Sequence, residues 1–379
     1  MSEFQYVAFR ALDAPVSAKN LQFMRQQSTR AEITPWSFEN YYSFGDFHGD
    51  APAMLRRGYD FHFHYADFGI RKLMIWFPTG LPALTPAQPY LKDDSLHILK
   101  DKHGPGTILC IQPFIEPGEE DEFIEPAVLF DRLLPVRAEI LNGDLRPFYL
   151  AHMAVACDGE HDPEEEYDAP VPAGLNELTD AQHAMAELFG LSDELISTAA
   201  DNSPPLPRPS DVTAHFIAWL QQRPDEAKTR WLSAWMADCH SSVRNELLAE
   251  YHKSHPSPPW PTNHLQRTVA QIRAAADAIL EEQNRHRAEQ TARRRAIDLA
   301  KMAADPTKVI SKVEQLVNDR TIHAYQQAAT LLADLREALA GSDQSNLAEQ
   351  HARKMKETHS SLRNLTAALR SQGFLKNGG

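Results

Sequence analysis

The chain has 379 residues, 42% of them hydrophobic and 24% charged, with a formal net charge of −14. Two or three domains with a sizeable core fit that length, and no stretch approaches the roughly 18 apolar residues of a membrane-spanning helix. The three cysteines, Cys110, Cys157 and Cys239, are too few and too scattered for a disulfide framework; with no secretory pattern in residues 1–10, they point to a reducing cytoplasm.

In chain order, residues 6–10 are β-prone, and Pro15-Val16-Ser17 opens a helix that runs to about Gln27. Residues 32–47 are aromatic-rich and broken by Gly45. Asp50-Ala51-Pro52 begins a short helix that stops at Gly58. A hairpin follows: Phe61, Phe63 and Tyr65 alternate with His62 and His64, Asp67-Phe68-Gly69 turns the chain, and residues 71–77 return. A second hairpin is expected around Gly104-Pro105-Gly106, with residues 96–99 leading in and 107–111 leading out. The pattern then changes to helix. Val128 to Leu141 fit one helix kinked at Pro135, and residues 145–157 a second.

Proline-rich breaks at 169–172, 204–209 and 256–261 punctuate the next stretch. Short helices are expected on either side of Gly190, with Ser192 as an N-cap, and again near 211–222, 225–237 and 241–252. Residues 263–304 hold neither Pro nor Gly and read as one long helix. Its stripe of Leu265, Val269, Ile272, Ala276 and Ile279 suits a helix partner, as in a coiled coil, within the chain or in a second copy. Three helices are expected after it, near 307–319, 321–340 and 345–371. The fold class is therefore an α+β N-terminal domain with an antiparallel sheet, followed by an all-α half with one long helix. The expected domains are 1–168, 169–262 and 263–379.

Two stretches resemble known sequences. Residues 4 to about 170 resemble a family of uncharacterised bacterial proteins, through Pro15-Val16-Ser17, Ile33-Thr34-Pro35-Trp36-Ser37-Phe38 and Leu55-Arg56-Arg57-Gly58-Tyr59-Asp60. Tyr325, Ala328, Leu332, Leu335-Arg336, His351, Arg353-Lys354 and Leu362 are similar to the helical tail of bacterial SWIM zinc-finger proteins. The paired Cys and His ligands of the zinc finger are absent, so this resemblance implies a shared helical docking module and not a zinc site.

Several side-chain sets bear on chemistry. Asp60, His62 and His64 alternate along a strand and share a face, and two imidazoles with a carboxylate are a ligand set for Zn²⁺ or Fe²⁺. The plainer account is a half-buried strand with Phe61, Phe63 and Tyr65 inward and the polar set in water. The acidic segment 158–168 lacks EF-hand spacing and reads as a solvated linker. No Gly-x-Ser-x-Gly elbow, Walker loop or dinucleotide fingerprint is present. Residues 36–77 hold 13 aromatics. Trp36, Tyr41, Tyr42, Phe44 and Phe47 among them are candidates for an interaction surface.

Charge is unevenly placed: residues 1–170 carry 14 basic and 27 acidic side chains, and residues 263–379 carry 18 and 13. The front repels nucleic acid at long range, whereas Arg293, Arg294 and Arg295 on the long helix are candidates to bind it. The leading expectation is a non-enzymatic protein–protein interaction or scaffold protein that needs no cofactor. It has a protein partner, no membrane association, and the long helix as a route to homo-oligomers. The alternatives are a metal-dependent hydrolase or oxygenase using a divalent ion at Asp60, His62 and His64, and a nucleic-acid accessory protein acting through residues 263–300.

Overall fold

A computed structural model describes residues 4–78, 86–92, 94–100, 106–115, 125–158, 162–201, 203–206, 209–236, 243, 246–247, 250–251, 253–255 and 267–375. Its front half contains β1 (Gln5–Arg10), α1 (Ala18–Gln27), β2 (Glu32–Ile33), β3 (Ser37–Tyr42), α2 (Ala51–Arg56), β4 (Phe61–Ala66), β5 (Arg71–Phe77), β6 (Leu96–Lys100) and β7 (Thr107–Ile111). Local chemistry sets the helix starts. The Ser17 side chain accepts the Asn20 N–H at α1, and Asp50 accepts the Ala53 N–H at α2. Gly58, at φ +129°, turns the chain from α2 into β4, a conformation that L side chains rarely adopt.

The seven strands form one antiparallel sheet in the order β2-β3-β1-β4-β5-β7-β6. Both of its faces are covered. Tyr6, Ala8, Phe61, Phe63, Tyr65, Leu73 and Ile75 enter one core. Val7, Phe9, Phe38, Met74 and Cys110 enter the other, beneath Met24 of α1 and Met54 and Leu55 of α2. This corrects the expectation of a half-buried hairpin. Of the polar set, Asp60 just ahead of β4 is 5% exposed and His62 only 1%, while His64 is half-buried.

The first core is closed by α3 (Pro126–Leu133), α4 (Pro135–Leu141), α5 (Arg146–Ala156), α6 (Asp180–Leu188) and α7 (Asp193–Ala200). Pro135 does not kink one helix; it starts the second of two, where its missing N–H costs nothing. Every residue of α5 is buried. A Thr179–Gln182 capping box opens α6, and Ser192 caps α7. The hairpin of α8 (Pro209–Gln221) and α9 (Asp225–Met236) holds a separate small core of Trp219, Trp231, Val243 and Tyr251.

The helix α10 (Val269–Ala304) has 36 residues, roughly 54 Å at the α-helical rise. Of its stripe, Val269 and Ile272 belong to the sheet core and Ala276 is buried, whereas Ile279 is 40% exposed; Leu265 lies outside the described residues. The acidic segment is not a free linker. The carbonyls of Pro163 and Glu166 accept the N–H groups of Ala270 and Val269, two of the donors that the first turn of α10 leaves open. Tyr167 and Thr268 form a β-bridge. Asp168 accepts from Tyr149 Oη at 2.8 Å and from Arg267 Nε at 2.8 Å. Asp162, Glu164, Glu165 and Glu166 thus lie beside the positive end of the helix dipole.

Two compact units divide the chain, residues 1–279 and 280–379, with the boundary inside α10. The second unit contains α11 (Pro306–Asn318), α12 (Ile322–Ala338), α13 (Leu347–Thr358) and α14 (Arg363–Ser371). The single helix expected over 345–371 is two, because Leu362 adopts non-helical angles ahead of α14. Tyr325, Ala328, Leu332 and Leu365 fill the core of this unit.

Candidate interaction site

One face of the first unit carries an open groove of about 570 Å³ between α3, α4 and α6, lined by Val128, Asp131, Arg132, Pro135, Glu139 and Asp180. Val128 is 58% exposed and supplies apolar surface, while carboxylates crowd the rim. Arg132 reaches Asp180 at 3.3 Å and Glu187 at 2.6 Å. Arg10 reaches Glu39 at 2.7 Å and Asp131 at 3.4 Å. Glu139 is held from inside by Thr179 Oγ1 at 2.7 Å and Gln182 Nε2 at 2.9 Å. Tyr41 extends this face: its ring rests on Tyr6 at 4.6 Å, with Glu125 near its hydroxyl. Burial, with Glu125 and Glu39 nearby, raises the Tyr41 pKa. Six carboxylates (Glu39, Glu125, Asp131, Glu139, Asp180, Glu187) therefore share this surface with two guanidinium groups, Arg10 and Arg132.

The aromatics expected at an interaction surface divide between surface and core. Trp36, Tyr41 and Phe44 are exposed, Phe44 at 81%. Tyr42 and Phe47 are drawn toward the core, Tyr42 fully and Phe47 in part. Tyr42 is buried, and Phe47 packs on Phe9, Phe38 and His62. Trp36 and Phe44 lie beyond opposite ends of β3, so the exposed three form no single patch. Sequence reading missed the groove because its walls come from residues about 50 positions apart. The signal within reach was Val128, an apolar residue on the side of α3 opposite Phe130 and Leu133.

His62 and His64 share one face of β4 with Asp60 just ahead of the strand, and each of the three makes bonds within the chain. Asp60 Oδ2 accepts the N–H groups of Leu12 at 2.6 Å and Asp13 at 3.1 Å, and Oδ1 lies 3.3 Å from Arg137. Burial raises the Asp60 pKa against the opposing pull of Arg137. His62 Nδ1 bonds the Ala8 carbonyl at 3.2 Å, and His64 Nε2 bonds Gln5 Oε1 at 2.9 Å. Gln5 Nε2 in turn donates to Asp46 at 2.7 Å. Burial, reinforced by Lys72, lowers the pKa of His62 and brings that of His64 to about 4. Both rings are neutral at physiological pH. Among the described residues no three His, Cys, Asp or Glu side chains gather as a metal ion needs. Burial raises the Cys110 thiol and brings Cys157 up to about 11, so neither is an activated thiolate; Cys239 lies outside the described residues.

On α10, Arg293 and Arg294 are exposed and have no acidic partner among the described residues. Arg295 is committed to Asp334 at 3.1 Å and Glu337 at 2.5 Å on α12. The three arginines are therefore not one equivalent basic patch. Among the described residues no helix is long and apolar enough to cross a membrane. No protein-family model, curated protein or solved structure matches the chain.

Proposed function

We propose that this chain is a non-enzymatic interaction protein whose first unit takes a basic partner segment along the groove between α3, α4 and α6. The observation that carries this reading is the excess of carboxylates over guanidinium groups around a partly apolar groove. Asp180 and Asp131 have side chains 79% and 66% exposed, so their charge is available to a partner. The fitting segment has one or two apolar residues to cover Val128 and Pro135, flanked by Lys or Arg. Such a surface steers association and selects partners by charge more than it adds affinity.

The test is binding of a fluorescent amphipathic peptide rich in Lys and Leu to the full chain, with an acidic peptide of equal length as control. Saturable binding that weakens with salt and is lost in Asp131→Lys/Asp180→Lys supports the reading. Equal binding by that double variant, or turnover of any substrate that depends on one side chain of the first unit, sinks it.

A further inference from the structure

The α8–α9 hairpin contains an anomaly that its own packing does not resolve. Trp219 and Trp231 are 3% and 4% exposed, and their rings stack at 6.2 Å. Phe216 and Tyr251 close the cluster, with rings 5.5 Å from that of Trp219 in each case. The guanidinium of Arg223 lies over the Trp219 ring at 4.9 Å. In this contiguous set, Trp219 Nε1, Trp231 Nε1 and Arg223 Nε are all buried with no hydrogen-bond partner among the described residues. A buried donor left unmade costs about 1–3 kcal/mol, so three in one small cluster is a large concession for so small a core.

All three are donors, so what answers them is an acceptor. One of the three belongs to a guanidinium that has no carboxylate partner among the described residues, so the acceptor carries negative charge. Arg230, the other cation on an indole of this hairpin, already has a counter-ion in Glu246 at 2.6 Å. A carboxylate has two oxygens and about four acceptor positions, enough for one guanidinium N–H and two indole N–H groups. We propose that the α8–α9 hairpin is a carboxylate-binding site, with Arg223 Nε–H and the indole N–H groups of Trp219 and Trp231 as its donors. The carboxylate comes either from a small free acid or from a Glu- or Asp-bearing peptide. The site is separate from the acidic groove, which takes the opposite charge.

The experiment uses the full chain with ¹⁵N-labelled tryptophan, the two indole resonances being assigned from Trp219→Phe and Trp231→Phe. Succinate and a tetraglutamate peptide are titrated in, with inorganic phosphate as the control. Both indole N–H resonances are expected to move downfield and saturate. The probe that saturates at lower concentration names the source. Arg223→Ala is expected to weaken binding about tenfold, as loss of one charged hydrogen bond does. Should circular dichroism show that this variant loses helix, Arg223→Lys carries the test, since it keeps the charge without the planar Nε–H. Resonances unmoved by either carboxylate, moved equally by phosphate, or moved equally with Arg223 replaced would overturn the proposal.

Discussion

Arg137 extends from α4 to within 3.3 Å of Asp60, at the entrance to β4, and both side chains are almost wholly buried. The same guanidinium holds Asp13 through two hydrogen bonds, at 2.7 and 3.1 Å, and its Nε donates to the Trp76 carbonyl at 2.9 Å. One cation thus ties the ends of β1, β4 and β5 to the helical layer. It also explains why a carboxylate that sequence reading offers to a metal serves the fold.

Removing Arg137 leaves the buried Asp60 carboxylate, and the solvent-exposed Asp13 beside it, without their counter-charge. Arg137→Ala is expected to destabilise the first unit by about 3–5 kcal/mol, the range for breaking a buried pair from one side. Urea unfolding followed by tryptophan fluorescence checks this. All six tryptophans precede residue 280, so the signal reports the first unit. In a double-mutant cycle, Asp60→Asn should cost much less in the Arg137→Ala background than alone.

The two histidines of β4 impose a pH dependence. Their folded-state pKa values lie below the ordinary value near 6.5, that of His64 at about 4. As pH falls below 6.5 the unfolded chain takes up protons first, so stability declines progressively between pH 6.5 and 4. The facing charges are Lys72, which disfavours protonation, and Asp46, which favours it at His64. His62→Gln and His64→Gln should each flatten the decline measured by urea midpoints across this window. An unchanged slope in the double variant contradicts the account.

Arg320 is the one residue other than glycine with positive φ, at 54°, among the described residues. It is exposed and sits between α11 and α12, in a conformation where a Cβ is strained. Arg320→Gly is expected to stabilise the second unit by roughly 0.5–1 kcal/mol, and Arg320→Val to destabilise it. Ellipticity at 222 nm during thermal unfolding distinguishes the two.

The docking of the acidic segment on α10 depends on Asp168, whose side chain joins Tyr149 to Arg267. Burial raises the Asp168 pKa, so the two hydrogen bonds are what hold the carboxylate in place. Asp168→Ala should expose the first turn of α10. The amides of Val269 and Ala270, now bonded to Glu166 and Pro163, should exchange with solvent much faster, while those of β4 keep their protection. Unchanged exchange at these two amides counts against the proposed role of Asp168.

Much of the fold was legible in local pattern. The 61–65 and 71–77 hairpin, the caps at Ser17, Asp50 and Ser192, and the break between α6 and α7 at Gly190 follow from alternation, capping chemistry and the permissiveness of glycine. These features are encoded within a few residues, so one segment suffices to read them. The site was far less legible. The groove joins α3 and α4 to α6, and the identity of its floor depends on helix packing that no single segment specifies.

By itself, the sequence determined the α+β order of elements, the acidic front and basic tail, and the absence of paired zinc ligands. Tertiary structure alone decided that β4 is covered on both sides. That one fact makes His62 a buried, neutral, hydrogen-bonded group and His64 a half-buried one, where the half-buried-strand reading puts both in water. Tertiary structure also decided that residues 162–168 cap a helix 100 positions later in place of spanning solvent, and that Val269 and Ile272 face the sheet core. The physical reason is common to all three. Period and charge say which side of a segment is apolar, but a side chain's solvation and protonation depend on what the rest of the chain lays over it.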